Sequence, residues 1–301
     1  MTRGPFETLG QVMAAGTPGP RELAGYPTAL FAFFAIAFAW SWSCWLLSPL
    51  LQAGSSMAAT ALALIGGFGP SLAAVAVVTY QGGWGGLRCW LKRCLQWREG
   101  WRWTALAFFF PAVCMALAGW VHVALGGTLP DSRAPGHLAL AAANFILVFL
   151  VGGPLGEEFG WRGYALPVMQ RRWGWRVSSL VLGGLWALWH LPLFYSADTA
   201  QSHLPMGWYV LSVIASSVLF AWLYNRTEGS VLPVMMLHTA VNAWSLVIPV
   251  MVMPDGTNLR PFHLMVGILL LTALLLLLRG GPAAKEGAGR RPGHRRMGKP
   301  G

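Results

Sequence analysis

The sequence predicts an all-α fold, a polytopic bundle of about eight transmembrane helices. Hydrophobic residues make up 55% of the 301, and charged residues only 10%, where a soluble chain carries ~25% charged. Several apolar runs reach the ~20 residues a helix needs to cross a hydrocarbon core ~30 Å thick. When successive runs alternate in direction, nearly all arginine and lysine falls on one side, the positive-inside pattern.

Residues 1–26 are polar, rich in Gly and Pro, and carry Glu7 and Glu22. They do not read as a cleaved signal, and the apolar run after them is too long for one. Spans are expected at 28–51, 57–80, 103–125, 138–155, 177–194, 206–223, 232–253 and 262–278. Between the second and third, residues 85–98 (GGLRCWLKRCLQWR) place Leu87, Trp90, Leu91 and Cys94 on one helical face and Arg88, Lys92 and Arg93 elsewhere. That is the pattern of an interfacial amphipathic helix. The tail at 280–301 is rich in Gly, Pro, Arg and Lys and is expected to be disordered, held near the inner leaflet by charge. The chain divides into N-terminal spans with the amphipathic helix (1–136), a core (137–250), a last span (251–279) and the tail.

With the N-terminus in the cytoplasm, 19 of the 21 basic residues are cytoplasmic, and only Arg133 and Arg260 lie outside. Adding or removing one span scrambles this, so both termini are expected inside. The net charge of +11 sits between spans and in the tail. That fits an anionic membrane surface and argues against nucleic acid as a partner. Cys44, Cys89, Cys94 and Cys114 show no CxxC spacing and are expected to be unpaired.

An ionisable residue at membrane depth points to function, and three segments carry such residues. The first is Gly-Glu-Glu-Phe-Gly-Trp-Arg, 156–162. Glu158 and Arg162, four apart, face each other on a helix and can pair. Glu157 points about 100° away and is expected to lack a local partner. Such a desolvated carboxylate suits general acid–base work. The plainer reading is an ion-pair cluster at a helix end. The second is Trp186-x-x-x-His190, where the plainer reading is a packing histidine. The third is His238-x-x-x-Asn242, on one helical face, where the plainer reading is hydrogen-bonding between helices. Counted in residues from the nearest basic cluster, Glu157, His190 and His238 lie at similar depth, about 20 Å in, although Pro167 is expected to kink the first of these helices. Together they are the parts of a water-activating site. Glu157 and His190 can polarise a water, and His238 and Asn242 can donate to an oxyanion. Alternatively, Glu157, His190 and His238 hold Zn²⁺, though no HExxH is present to support it.

These motifs, in this order, resemble the CAAX protease and bacteriocin-processing family of intramembrane proteases. That family takes in the type II CAAX prenyl endopeptidases and lysostaphin-resistance-protein-A-like proteins. Glu157, Glu158 and Arg162 match its E-E-x-x-x-R. His190 matches its F-x-x-x-H, with Trp186 in place of Phe. His238 and Asn242 match its H-x-x-x-N. The match covers about 140–248. The resemblance implies an all-helical membrane endopeptidase in which Glu157 and His190 activate water, His238 and Asn242 stabilise the oxyanion, and Glu158 and Arg162 support them. It leaves the cofactor as none or Zn²⁺. The change to Trp186 is expected to alter packing beside His190 more than chemistry. The partners expected are a membrane-associated protein or peptide substrate and the bilayer, in a bacterial plasma membrane. Two other classes remain as alternatives. A proton-coupled transporter would spread acids and histidines through many spans, and spans one to three and eight have essentially none at their centres. A non-catalytic immunity or scaffold protein would carry the same residues.

Overall fold

The computed structural model describes residues 26–97, 100–129, 138–151, 153–196, 199–245, 247–248, 250 and 258–279. The expected tail, residues 1–25 and Arg133 lie outside them. The described elements are α1 (Tyr26–Leu51), α2 (Ser56–Gly66), α3 (Gly69–Cys94), α4 (Trp101–Ala124), α5 (Leu138–Val151), α6 (Pro154–Gly160), a π-helical turn (Trp161–Ala165), α7 (Leu166–Trp189), two 3₁₀ turns (Leu191–Tyr195 and Gln201–His203), α8 (Met206–Arg226), α9 (Leu232–Trp244) and α10 (Arg260–Arg279). No strand occurs among the described residues, so the all-α class stands. Cys44, Cys89, Cys94 and Cys114 are free, as expected.

Five stretches are long and apolar enough to cross a membrane: Pro27–Leu51, Trp101–Ala124, Pro154–Tyr195, Met206–Arg226 and Arg260–Arg279. The pair α2 and α3, bent by 48°, makes a sixth if counted as one span. Eight full spans are not found among the described residues. α5 has 14 residues and α9 has 13. At ~1.5 Å per residue each covers about 20 Å, short of a ~30 Å core. α5 is cut off from α6 by Gly153 at φ +114° and by Pro154, which opens the next helix; that φ favours glycine. α9 stops at Trp244, and residues 251–253 of its expected span lie outside the described residues. Large side chains such as Phe31, Trp84 and Trp120 point outward, as lipid-facing residues do.

Breaks in membrane helices leave carbonyls that cannot turn to water. Here indoles satisfy several of them. Trp45 Nε1 donates to Ala63 O at 2.9 Å and Trp40 Nε1 to Ile65 O at 3.1 Å, while Ser41 Oγ donates to Gly66 O at 2.7 Å. All three acceptors belong to the last turn of α2. Trp42 Nε1 serves Trp189 O at the end of α7, at 3.0 Å. Trp244 Nε1 donates to Phe108 O at 2.8 Å, in the turn preceding Pro111 of α4.

The stretch from Pro154 carries the first two motifs. Just before Pro167 the helix passes through the π turn, in which Leu166 N bonds back to Trp161 O. Pro167 has no N–H for Gly163 O, four residues earlier; Trp90 Nε1 supplies a donor to it at 3.0 Å. The sharp break comes at Gly174, φ +68°, and separates 154–173 from 175–189.

The amphipathic helix forms, set off from the rest of α3 by Gly83 at φ +58°, but its apolar face does not lie on lipid. Leu87, Trp90 and Cys94 are buried. Trp90 stacks edge-on against Phe159, centroids 5.8 Å apart, and Cys94 lies against Gly163. The sequence pattern is right and the partner differs: protein takes the place of the membrane interface. At the other end of the bundle, Arg260 at the start of α10 donates from Nε to His122 Nδ1 of α4 at 2.9 Å.

Candidate active site

α6 is placed by its glycines. A β-carbon on Gly156 would overlap Gly67 O, and one on Gly160 would overlap Pro70. The Gly-x-x-x-Gly spacing lets α6 lie backbone to backbone on the α2–α3 bend, as small residues do between membrane helices. Ser71 Oγ adds a hydrogen bond to Leu155 O at 2.9 Å. With the glycines facing α3, Glu158 falls about 200° round from Gly156 and points into the bundle.

Glu158 is completely buried, and so is Arg162. Arg162 donates from Nη1 to Glu158 Oε1 at 3.0 Å. The same oxygen lies 2.7 Å from His238 Nδ1. A carboxylate accepts, so Nδ1 carries the hydrogen. Glu158 therefore does more than pair with Arg162, because it also orients His238. The guanidinium lies between two aromatic faces, 4.3 Å from the Trp186 ring centroid and 4.7 Å from that of Phe220.

Glu157, expected to lack a local partner, finds one on α7. Trp186 Nε1 donates to Glu157 Oε2 at 2.5 Å. The Trp186 ring does pack beside His190, as expected, and it also reaches α6 with a donor that Phe would lack. The backbone of Trp186 acts as well, because His190 Nδ1 donates to Trp186 O at 2.8 Å. The Trp186 ring centroid lies 5.5 Å from that of His238 and 5.9 Å from that of His190. In the neutral form each histidine thus leaves a lone pair on Nε2.

Gly153 borders the same space. A β-carbon there would sit 2.7 Å from Glu157 Oε1 and 3.8 Å from His238 Cε1. The structure thus gathers Glu157, Glu158, Arg162, Trp186, His190 and His238 into one buried, connected cluster. Asn242 lies one turn along α9 from His238 and is half-buried. Sequence reasoning missed Gly153, Phe220 and Tyr209, whose ring stands 5.5 Å from that of His190. The Gly-Gly-Pro before the glutamates signals a break, and the Gly156/Gly160 spacing signals close packing. Nothing in the sequence singles out Phe220. Among the described residues no three His, Cys, Asp or Glu side chains are arranged to hold a metal ion.

The fold and the cluster define a polytopic membrane protein with two buried glutamates and two buried histidines gathered at one interior site. Residues 139–244, which contain every residue of the cluster and Asn242, match the family model described as type II CAAX prenyl endopeptidase Rce1-like. Over 140 residues the chain is 26% identical to CAAX prenyl protease 2 of Methanococcus maripaludis, a match covering 44% of this chain and 51% of that one. The chain spans about half the length of this curated relative. The resemblance read from the three motifs is thereby shown for that segment.

Proposed function

We propose that the chain is an intramembrane endopeptidase that hydrolyses a peptide bond near the C-terminus of a membrane-associated protein, of prenyl-CAAX type, with Glu157 and His190 activating water. The observation that carries this reading is the connection of both groups through one residue, Trp186. His190 offers Nε2 as acceptor for one hydrogen of the water, and Glu157 takes the other as general base. The oxygen adds to the scissile carbonyl carbon. The C–N bond then breaks, and the leaving amine takes the proton back from Glu157. His238 and Asn242 stabilise the oxyanion. His238 holds its Nδ1 hydrogen against Glu158, which orients the ring, and Arg162 holds Glu158 in turn. Glutamate-type chemistry is the version proposed, and the family match supports the reaction class.

The test is cleavage of a prenylated CAAX peptide by purified protein in bilayer nanodiscs. Glu157→Gln and His190→Ala are each expected to lower turnover by at least 10³-fold while leaving the melting temperature near that of the parent, a loss of the order assigned to general acid–base groups. Activity retained in both variants overturns the proposal. Cleavage of an unprenylated membrane peptide, and not of the prenylated one, overturns the substrate class alone.

A further inference from the structure

We infer that Trp186 is a positioning residue for the water-activating pair, its side chain fixing Glu157 and its backbone fixing His190; this rests on the roles proposed above. Three observations support it. The indole N–H is spent on Glu157 Oε2, 2.5 Å away. The carbonyl of the same residue accepts from His190 Nδ1 at 2.8 Å. The ring itself is pinned, because Arg162 lies over its face at 4.3 Å and Arg162 is in turn tied to Glu158.

The contrast with other indoles sharpens the point. Those of Trp40, Trp42, Trp45, Trp90 and Trp244 donate to backbone carbonyls, where they satisfy breaks in helices. Trp186 donates to a carboxylate. A donor to one carboxylate oxygen leaves the other free and sets its direction. Glu157 Oε1 is the other, and it lies against Gly153 with His238 Cε1 close by. The chain thus aims its base with a group that Phe at the same position would not supply.

The experiment separates the N–H from the ring. Trp186→Phe removes the donor and trims the ring. Incorporating β-(3-benzothienyl)alanine at position 186 keeps the bicyclic shape and removes only the N–H. Both retain the backbone carbonyl that serves His190. The expected result, on the prenyl-CAAX peptide, is a fall in kcat of about tenfold in each, the worth of one hydrogen bond to a charged group, with KM within twofold and an unchanged melting temperature in the benzothienyl protein. An unchanged kcat in the benzothienyl protein overturns the inference. So does a kcat that falls only in proportion to lost folded protein. Glu157→Gln run alongside distinguishes the two levels. If it is inactive while the benzothienyl protein is normal, only the positioning role fails. If it is active, the proposed function fails first.

Discussion

Replacing Glu158 by Gln removes a charge from the centre of the bundle and changes almost no volume. Its carboxylate accepts from Arg162 at 3.0 Å and from His238 at 2.7 Å, both on the same oxygen. Arg162 has no exposure to solvent, and among the described residues its Nε and Nη2 have no hydrogen-bond partner. The guanidinium therefore depends chiefly on Glu158 for its compensating charge, with Glu157 second. Removing one member of a buried pair costs about 3–5 kcal/mol. Gln keeps an acceptor oxygen, so the lower end, about 3 kcal/mol, is expected. At ~2–4 °C per kcal/mol for a chain of this order, the melting temperature falls by about 6–12 °C. A thiol-reactive fluorophore reports the transition directly, because Cys44, Cys94 and Cys114 are buried and free. The double variant Glu158→Gln with Arg162→Met is expected to recover more than half of the loss, because an apolar replacement of both partners is close to neutral. A Glu158→Gln melting point within 2 °C of the parent, or a double variant whose loss equals the sum of the single losses, refutes the argument.

Other consequences are more local. Gly160→Ala places a methyl group into the backbone of Pro70; overpacking of this kind costs about 1–3 kcal/mol, and the melting temperature should drop while Gly184→Ala, where nothing lies near the new methyl, stays level. Gly153→Ala forces a side chain into φ +114° and against Glu157 Oε1, so a loss of cleavage of at least tenfold is expected together with a lower melting point. Trp90→Phe leaves Gly163 O without its indole donor, an unsatisfied carbonyl that costs about 1–3 kcal/mol, read by the same thermal assay.

The fold class was legible because lipid imposes it. Long apolar runs with charge at their ends have few structural solutions. The span count was less legible, for reasons visible at particular residues. At Gly153 the chain breaks inside an apolar run, so hydropathy alone does not find that break, whereas the break at Gly174 falls among Arg171, Arg172 and Arg176. The face of 85–94 was read correctly from Leu87, Trp90 and Cys94, but periodicity says only that a face is apolar. It does not say whether lipid or Phe159 covers it. No local pattern at Pro167 announces the π turn before it or the indole of Trp90 that serves Gly163 O. At the site, spacing gave Glu158–Arg162 because both lie on one helix. The bonds Glu158–His238 and Trp186–Glu157 join residues 80 and 29 apart, and no local pattern encodes them.

Among the described residues six tryptophans donate from the indole, with two outcomes. An indole offers a single donor on a large apolar body, which suits a medium where a bare carbonyl has no water to turn to. Where the donor meets a helix break, it contributes to folding; where it meets Glu157, it contributes to chemistry. Removing the N–H should therefore give opposite signatures at the two kinds of position. Trp45→Phe frees Ala63 O and should lower the melting temperature with turnover per folded molecule unchanged. The benzothienyl replacement at 186 should lower turnover with the melting temperature unchanged. Measuring both quantities on both proteins makes each the control for the other. If both variants lose stability and turnover in the same proportion, the distinction between indoles that satisfy the backbone and the one that aims the carboxylate is wrong.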